Sequence, residues 1–158
     1  MRVGIMADSH DNMHALKKAV DYFNRSKVMH VLHAGDLVAP FTARELSRLE
    51  CPLTIVFGNN DGDRLLLKKV FKETIHRAPH QLQLAGKEIL LLHEPDNLEA
   101  LQASGHFDAI IYGHTHQVAV DREATLAINP GECGGWLTNK CTVAIWEVES
   151  NEVEIVEL

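Results

Sequence analysis

Residues 53–63, LTIVFGNNDGD, decide the fold class. Leu53 to Phe57 form a short run suited to a buried strand, and it stops at Gly58 before Asn59, Asn60, Asp61, Gly62 and Asp63. Asn, Asp and Gly tolerate left-handed backbone and hydrogen-bond their own amides, so the cluster predicts a turn. The same arrangement recurs along the chain. RVGIMA (2–7) ends at Asp8, VMHVLHA (28–34) at Gly35-Asp36, KEILLL (87–92) at His93 and FDAIIY (107–112) at Gly113-His114.

Between these runs the apolar period changes from that of a strand to that of a helix. Met13, Leu16, Val20 and Phe23 recur at spacings of three and four, with Asp11 or Asn12 placed to cap the helix they imply. Helical stretches are also expected over 41–50, 64–72 and 96–104, and HQLQLA (80–85) is expected to turn back into 87–92 at Gly86. The tail, with QVAV, TLAIN, CTVAIWEV and EVEIVEL, predicts strands joined by turns at Arg122-Glu123 and Ser150-Asn151. Alternating strands and helices imply a largely parallel sheet with crossover helices, and the tail implies an antiparallel addition. The expected fold class is α/β: a layered sandwich of two mixed β-sheets flanked by helices, with the site beyond the C-terminal ends of the strands.

With 158 residues, 46% of them apolar, the chain fits a single domain spanning 1–158 that buries roughly 70% of the surface its unfolded form exposes. Its apolar runs are too short to cross a membrane. Asp8 and His10 interrupt anything resembling a signal peptide, so a cytoplasmic location is the default. Cys51, Cys133 and Cys141 are odd in number, lack CxxC spacing and are read as reduced thiols. A net charge of -7 argues against a general duplex-DNA surface, and no basic and aromatic cluster marks a nucleic-acid groove. A small phosphate ester remains compatible, because bound metal can supply the positive charge.

The chemistry-bearing residues fall where the apolar runs end. Asp8, His10, Asp36, Asn59, His93, His114 and His116 would converge on one patch if successive strands lie side by side. Each alone reads as a turn, a cap or a hydrogen-bonded histidine; their repetition at equivalent strand ends points to a site. Two carboxylates, one amide oxygen and four imidazoles, with no thiolate, suit borderline divalent ions: manganese first, with nickel, iron, cobalt or zinc compatible. Seven donors exceed one tetrahedral site and suit two ions sharing a carboxylate.

Asp8-x-His10, Gly35-Asp36, Gly58-Asn59-x-Asp61, His93 and Gly113-His114-Thr115-His116, in that order, resemble the motif set of the calcineurin-like metallophosphoesterase superfamily. The resemblance runs from residue 3 to about residue 131, taking in Asn129-Pro130-Gly131, and is greatest to the small single-domain phosphodiesterase branch. It implies a first metal on Asp8, His10 and His116, a second on Asn59, His93 and His114, and Asp36 bridging them. It also implies hydrolysis of a phosphate ester, most simply a diester, by a hydroxide bridging the metals, with Asp36, Asn60 and Asp61 as the catalytic and supporting residues. Asp61 is expected to orient a ligand or simply to shape the turn. His33 could act in the same way or be a packed core histidine.

Three positions depart from the pattern. Asn60 stands where the superfamily commonly has a histidine that protonates the leaving group, and an amide cannot supply that proton near neutral pH. This favours phosphodiesters with good leaving groups over monoesters. Glu94 follows His93 where glycine is expected, and Glu132 follows Asn129-Pro130-Gly131 where a small hydroxyl residue is usual; both are expected at the site mouth, either repelling anions or as solvated loop carboxylates. The alternatives are a nuclease or dinucleotide polyphosphatase on the same metals, or a non-catalytic protein-binding scaffold. A homo-oligomer with an even number of copies would cover exposed β-edge and apolar loop surface.

Overall fold

A computed structural model describes residues 1–158. Its eleven strands form two mixed sheets. The first sheet holds β1 (Arg2–Met6), β2 (His30–His33), β3 (Leu53–Val56) and β4 (Ile75–His76) side by side and parallel. On the other flank of β1, β10 (Thr142–Glu147) and β11 (Glu152–Glu157) add antiparallel. The second sheet runs β5 (His80–Leu84), β6 (Lys87–Leu91), β7 (Ala109–Ile111), β9 (Leu126–Pro130) and β8 (Val118–Asp121), with β6, β7 and β9 parallel and both edges antiparallel.

Three apolar layers follow from the alternation of side chains along the central strands. Val3, Ile5 and Ala7 of the β1 run face the second sheet and pack with Ile89, Ile111 and Ile128, while Trp146 of β10 lies fully buried in the same layer. Met6 faces the opposite way, onto the helices α1 (Met13–Arg25), α2 (Ala43–Leu46) and α3 (Arg64–Phe71). α4 (Leu98–Ala103) covers the outer face of the second sheet, over Leu90, Ile110 and Tyr112. Burial on both faces explains why the parallel strands read as unbroken apolar runs. Phe23 of α1 lies against Gly4, where a Cβ would come within 2.8 Å of the ring. Each such buried large side chain contributes about 1.5–3 kcal/mol.

Local features agree closely with the residue pattern. Asn12 caps α1 by accepting from Ala15 N at 3.1 Å, settling the choice between Asn12 and Asp11. Ala85 and Gly86 both take positive φ, the mark of a two-residue hairpin turn matched to strand twist. The helix expected over 41–50 is shorter, a 3-10 turn at Pro40–Thr42 followed by the four residues of α2. Asn24 holds the stretch beyond it, its side chain accepting from Glu50 N at 3.1 Å and donating to Arg48 O at 2.9 Å, where Pro52 has no N–H to offer. The tail is not uniformly antiparallel either. The chain runs out along β8 at the sheet edge and returns through β9 into the slot beside β7, so β9 lies parallel to its neighbour. No helix is long and apolar enough to cross a membrane.

Candidate metal centre

The strands that carry the expected ligands are split between the sheets. β1, β2 and β3 present Asp8, Asp36 and Asn59, and β6 and β7 present His93 and His114. The sites still meet, because both sheets open their C-terminal strand ends toward the same loops. Backbone strain gathers there. Asp8, His10, Asp36, His114 and His116 all adopt positive φ, between 41° and 68°. Positive φ at residues other than glycine costs on the order of 1 kcal/mol each and persists only where surrounding contacts impose it.

The seven side chains form one continuous cluster. Asp8 Oδ1 lies 3.8 Å from His10 Nε2 and 3.5 Å from His116 Nε2. Asp36 Oδ2 lies 3.6 Å from His10 Nε2 and 3.4 Å from His93 Nε2, facing both halves of the set. Asn59 Oδ1 is 2.8 Å from His93 Nε2 and 3.0 Å from His114 Nδ1. Two groups, Asp8 with His10 and His116, and Asp8 with Asp36 and His93, hold their donor atoms within 4.8 Å of one another.

The hydrogen-bond pattern fits divalent ions. Asp8 Oδ1 and His10 Nε2 are buried without any hydrogen-bond partner, although buried polar atoms are otherwise satisfied almost everywhere. Both point into the cluster. His93 Nδ1 donates to Ala34 O at 2.7 Å and so turns Nε2 toward Asp36 and Asn59; in the metal-free chain Nε2–H donates there, and loss of that proton would free its lone pair for an ion. Two buried carboxylates side by side also need a cation. Burial, with Asp36 nearby, pushes the Asp8 carboxyl up to about 6. Burial acts on Asp36 in the same direction, but hydrogen bonds from His93 and Asn60 outweigh it and hold that carboxyl well below the ordinary range. Burial lowers His10 and works against His93, where the Asp36 carboxylate wins and raises the imidazole.

Around the candidate ligands lies a scaffold of hydrogen bonds. Asp61 is buried, and its carboxylate accepts from Gly58 N at 2.7 Å, Val38 N at 2.7 Å and Asp36 N at 3.2 Å, tying the Asp36 loop to the Asn59 loop. Gly58 is required between them, because a Cβ there would overlap the Asp36 carboxylate. Asn60 donates through its backbone N and its Nδ2 to the two Asp36 oxygens, at 2.8 and 2.7 Å. His33 is a packed core histidine: Nδ1 accepts from Gly35 N at 3.2 Å, so Nε2 carries the proton and donates to Ser9 Oγ at 3.1 Å. Burial lowers its pKa to about 3. Asn129 gives the Asn-Pro-Gly stretch its purpose, holding the His114 loop through Gly113 O at 2.9 Å and Thr115 Oγ1 at 3.0 Å.

Glu94 is exposed, as a solvated loop carboxylate would be. Glu132 is not: it is completely buried, accepts from the backbone of Trp136, Leu137 and Thr138, and sits 3.4 Å from His116 Nδ1. Sequence reasoning missed this role because the carboxylate's partners lie in its own downstream loop, where no periodicity marks them. It also missed Arg64, which donates to Gly58 O at 2.8 Å and stacks over Phe57. On the Asn59 and His93 side the centre opens into a groove of 1130 Å³ whose lining includes the apolar Phe57 and Leu92, the basic Lys68 and Arg77 and the acidic Glu94 and Asp96.

Comparison with known proteins agrees with this geometry. Residues 1–151 match the model of the calcineurin-like phosphoesterase superfamily domain. The chain is 36% identical to a phosphodiesterase of Methanocaldococcus jannaschii over 165 aligned positions, covering 100% of this chain and 99% of that protein. The solved structure of an archaeal phosphodiesterase superposes with a TM-score of 0.92 at 34% identity, both chains covered completely. The phosphoesterase Yfce of E. coli superposes at 0.70 with 23% identity, over 99% and 98% of the two chains, which speaks to the fold. Candidate metal-binding residues at successive strand ends, a family model that spans nearly the whole chain and a relative alike from end to end agree: the chain belongs to the calcineurin-like phosphoesterase superfamily.

Proposed function

We propose that the chain is a dinuclear-metal-dependent phosphodiesterase acting on a small phosphate diester. The observation that carries this is the placement of Asp36 Oδ2, 3.6 Å from His10 Nε2 and 3.4 Å from His93 Nε2, beside the unpartnered Asp8 Oδ1. One carboxylate oxygen thus faces two sets of donors. Asp8, His10 and His116 would hold one ion, Asn59, His93 and His114 the other, and Asp36 both; Mn²⁺ is the proposed metal. When bound, such ions supply Lewis-acid charge and an activated solvent nucleophile to the phosphoryl group.

The chain's own residues then set the substrate. Asn59 contributes a neutral oxygen, so with two carboxylates among seven ligands the loaded centre stays positive toward an anion. Asn60 orients Asp36 through both of its donors and, being an amide, offers no proton to a departing alkoxide. Turnover therefore falls on esters whose leaving groups need little protonation. The groove beside Asn59 and His93 has room for the second substituent of a diester. The full-length likeness to a protein named as a phosphodiesterase supports the same class, and a cytoplasmic location is proposed with it.

The test compares metal-loaded protein on an aryl phosphodiester and an alkyl phosphomonoester. Faster cleavage of the diester is expected, and Asn60→His should raise turnover of esters with poor leaving groups. Faster cleavage of the alkyl monoester by the wild-type chain would overturn the proposal.

A further inference from the structure

The loop 132–138 borders the His10 and His116 half of the centre and presents an arrangement that the reaction above does not use. Trp136 is 62% exposed and Leu137 74% exposed, although large apolar side chains gain by burial. Trp136 is nevertheless fixed. Its indole N–H donates to His10 O at 3.0 Å, and its backbone N donates to Glu132 Oε1 at 2.6 Å. Glu132 also takes Leu137 N at 3.1 Å and both Thr138 N and Thr138 Oγ1 at 3.0 Å. A completely buried carboxylate, costly to desolvate, is thus spent on holding an exposed aromatic loop.

The loop is also docked onto the strand end that carries Asp8. Gly134 N donates to Asp8 O at 2.9 Å, and Asn12 Nδ2 donates to Gly134 O at 2.8 Å. There is no room for a side chain between them, since a Cβ on Gly134 would stand 2.9 Å from Ser9 O and 3.1 Å from the Trp136 ring. Glu132 Oε1 lies beside the other half as well, 3.4 Å from His116 Nδ1 although not in hydrogen-bonding geometry with it, while His116 Nε2 faces Asp8. A carboxylate this close behind a histidine limits where the ring can sit. A single residue therefore links a candidate metal ligand to a rigid indole at the rim. A preorganised aromatic face binds a planar group with little ordering cost.

We propose that Glu132 is a positioning residue that orients His116 and pins Trp136, and that Trp136 forms a subsite for the planar aromatic ester group of the substrate. This deepens the phosphodiesterase reading and rests on it, yet it can be measured apart from turnover. Calorimetry on the Mn²⁺-loaded chain would compare diphenylphosphinate with dimethylphosphinate, stand-ins for the diphenyl and dimethyl esters whose P–C bonds are not hydrolysed. Wild type should prefer the diphenyl compound, Trp136→Ala should cut that preference on the order of ten-fold, and Trp136→Phe should largely keep it. Titration of metal-free protein with Mn²⁺ alone should give Glu132→Gln an affinity on the order of ten-fold weaker, whereas Trp136→Ala, which loosens the same loop without touching His116, should bind Mn²⁺ as wild type does. Equal binding of the two compounds by wild type, or a preference untouched by Trp136→Ala, overturns the subsite. Unchanged Mn²⁺ affinity in a folded Glu132→Gln overturns the positioning role. Absence of diester hydrolysis by a wild-type chain that still prefers the diphenyl compound would instead count against the phosphodiesterase reading alone.

Discussion

Replacing Asp61 by alanine removes a side chain that touches no substrate and should still disable the centre. Its carboxylate holds Gly58 N and Val38 N at 2.7 Å and Asp36 N at 3.2 Å. Hydrogen bonds to a charged group contribute about 1.5–3 kcal/mol each, so the two short ones represent about 3–6 kcal/mol. Part of this is offset, because burial of the carboxylate is itself unfavourable and raises its pKa. Water can reach Val38 N, which is only part-buried, but the other two bonds are buried. Val38 is a β-branched residue at φ 79°, a conformation it would abandon once its amide is released. A net loss of about 2–4 kcal/mol in unfolding free energy is expected, measured by urea denaturation of metal-free protein. Because the Asp36 loop is released together with Val38, Mn²⁺ affinity should fall at least about ten-fold by calorimetry. A loss under about 1 kcal/mol with unchanged Mn²⁺ affinity would refute the role assigned to Asp61.

Three further outcomes follow from individual contacts. Gly58→Ala should weaken Mn²⁺ binding at least about ten-fold because its Cβ displaces the Asp36 carboxylate, whereas Gly62→Ala, with nothing within 4 Å of the added carbon, should bind metal as wild type does. His33 stays neutral in the fold because burial lowers its pKa from the ordinary 6.5 to about 3. Between those values the unfolded chain takes up a proton that the folded chain refuses, so this residue makes stability fall as pH falls, by up to about 1.4 kcal/mol per pH unit. His33→Gln should flatten the pH dependence of metal-free stability between pH 6 and 4; identical slopes would contradict this. Leu16→Ala, at a fully buried position of α1, should cost about 2–5 kcal/mol in the same denaturation assay.

Much of the candidate site was legible because each buried strand is an apolar run and each candidate ligand marks the point where the run stops. LTIVF ending at Asn59 and KEILLL ending at His93 are such points, and the order of these endings carried the family resemblance. What the pattern could not convey was sheet membership. β1, β2 and β3 look like β6 and β7 in composition, yet the first three pair in one sheet and the last two in the other. The two-residue β4 was too short to leave a period. The supporting bonds were hidden for a different reason. Asn12 to Gly134 and Trp136 to His10 join residues 122 and 126 positions apart, and a buried glutamate is indistinguishable in sequence from a solvated one. Asn60 lies between: its identity signalled a missing acid, but only the fold revealed its grip on Asp36.

The central claim is that seven side chains from two sheets form one centre for two ions, with Asp36 shared. Equilibrium titration of metal-free protein with Mn²⁺ tests it directly, using wild type, His114→Ala and Asp36→Ala. The account predicts two Mn²⁺ per wild-type chain, one retained by His114→Ala, and both weakened by Asp36→Ala. A single Mn²⁺ per wild-type chain, or two sites of which Asp36→Ala disturbs only one, would contradict it.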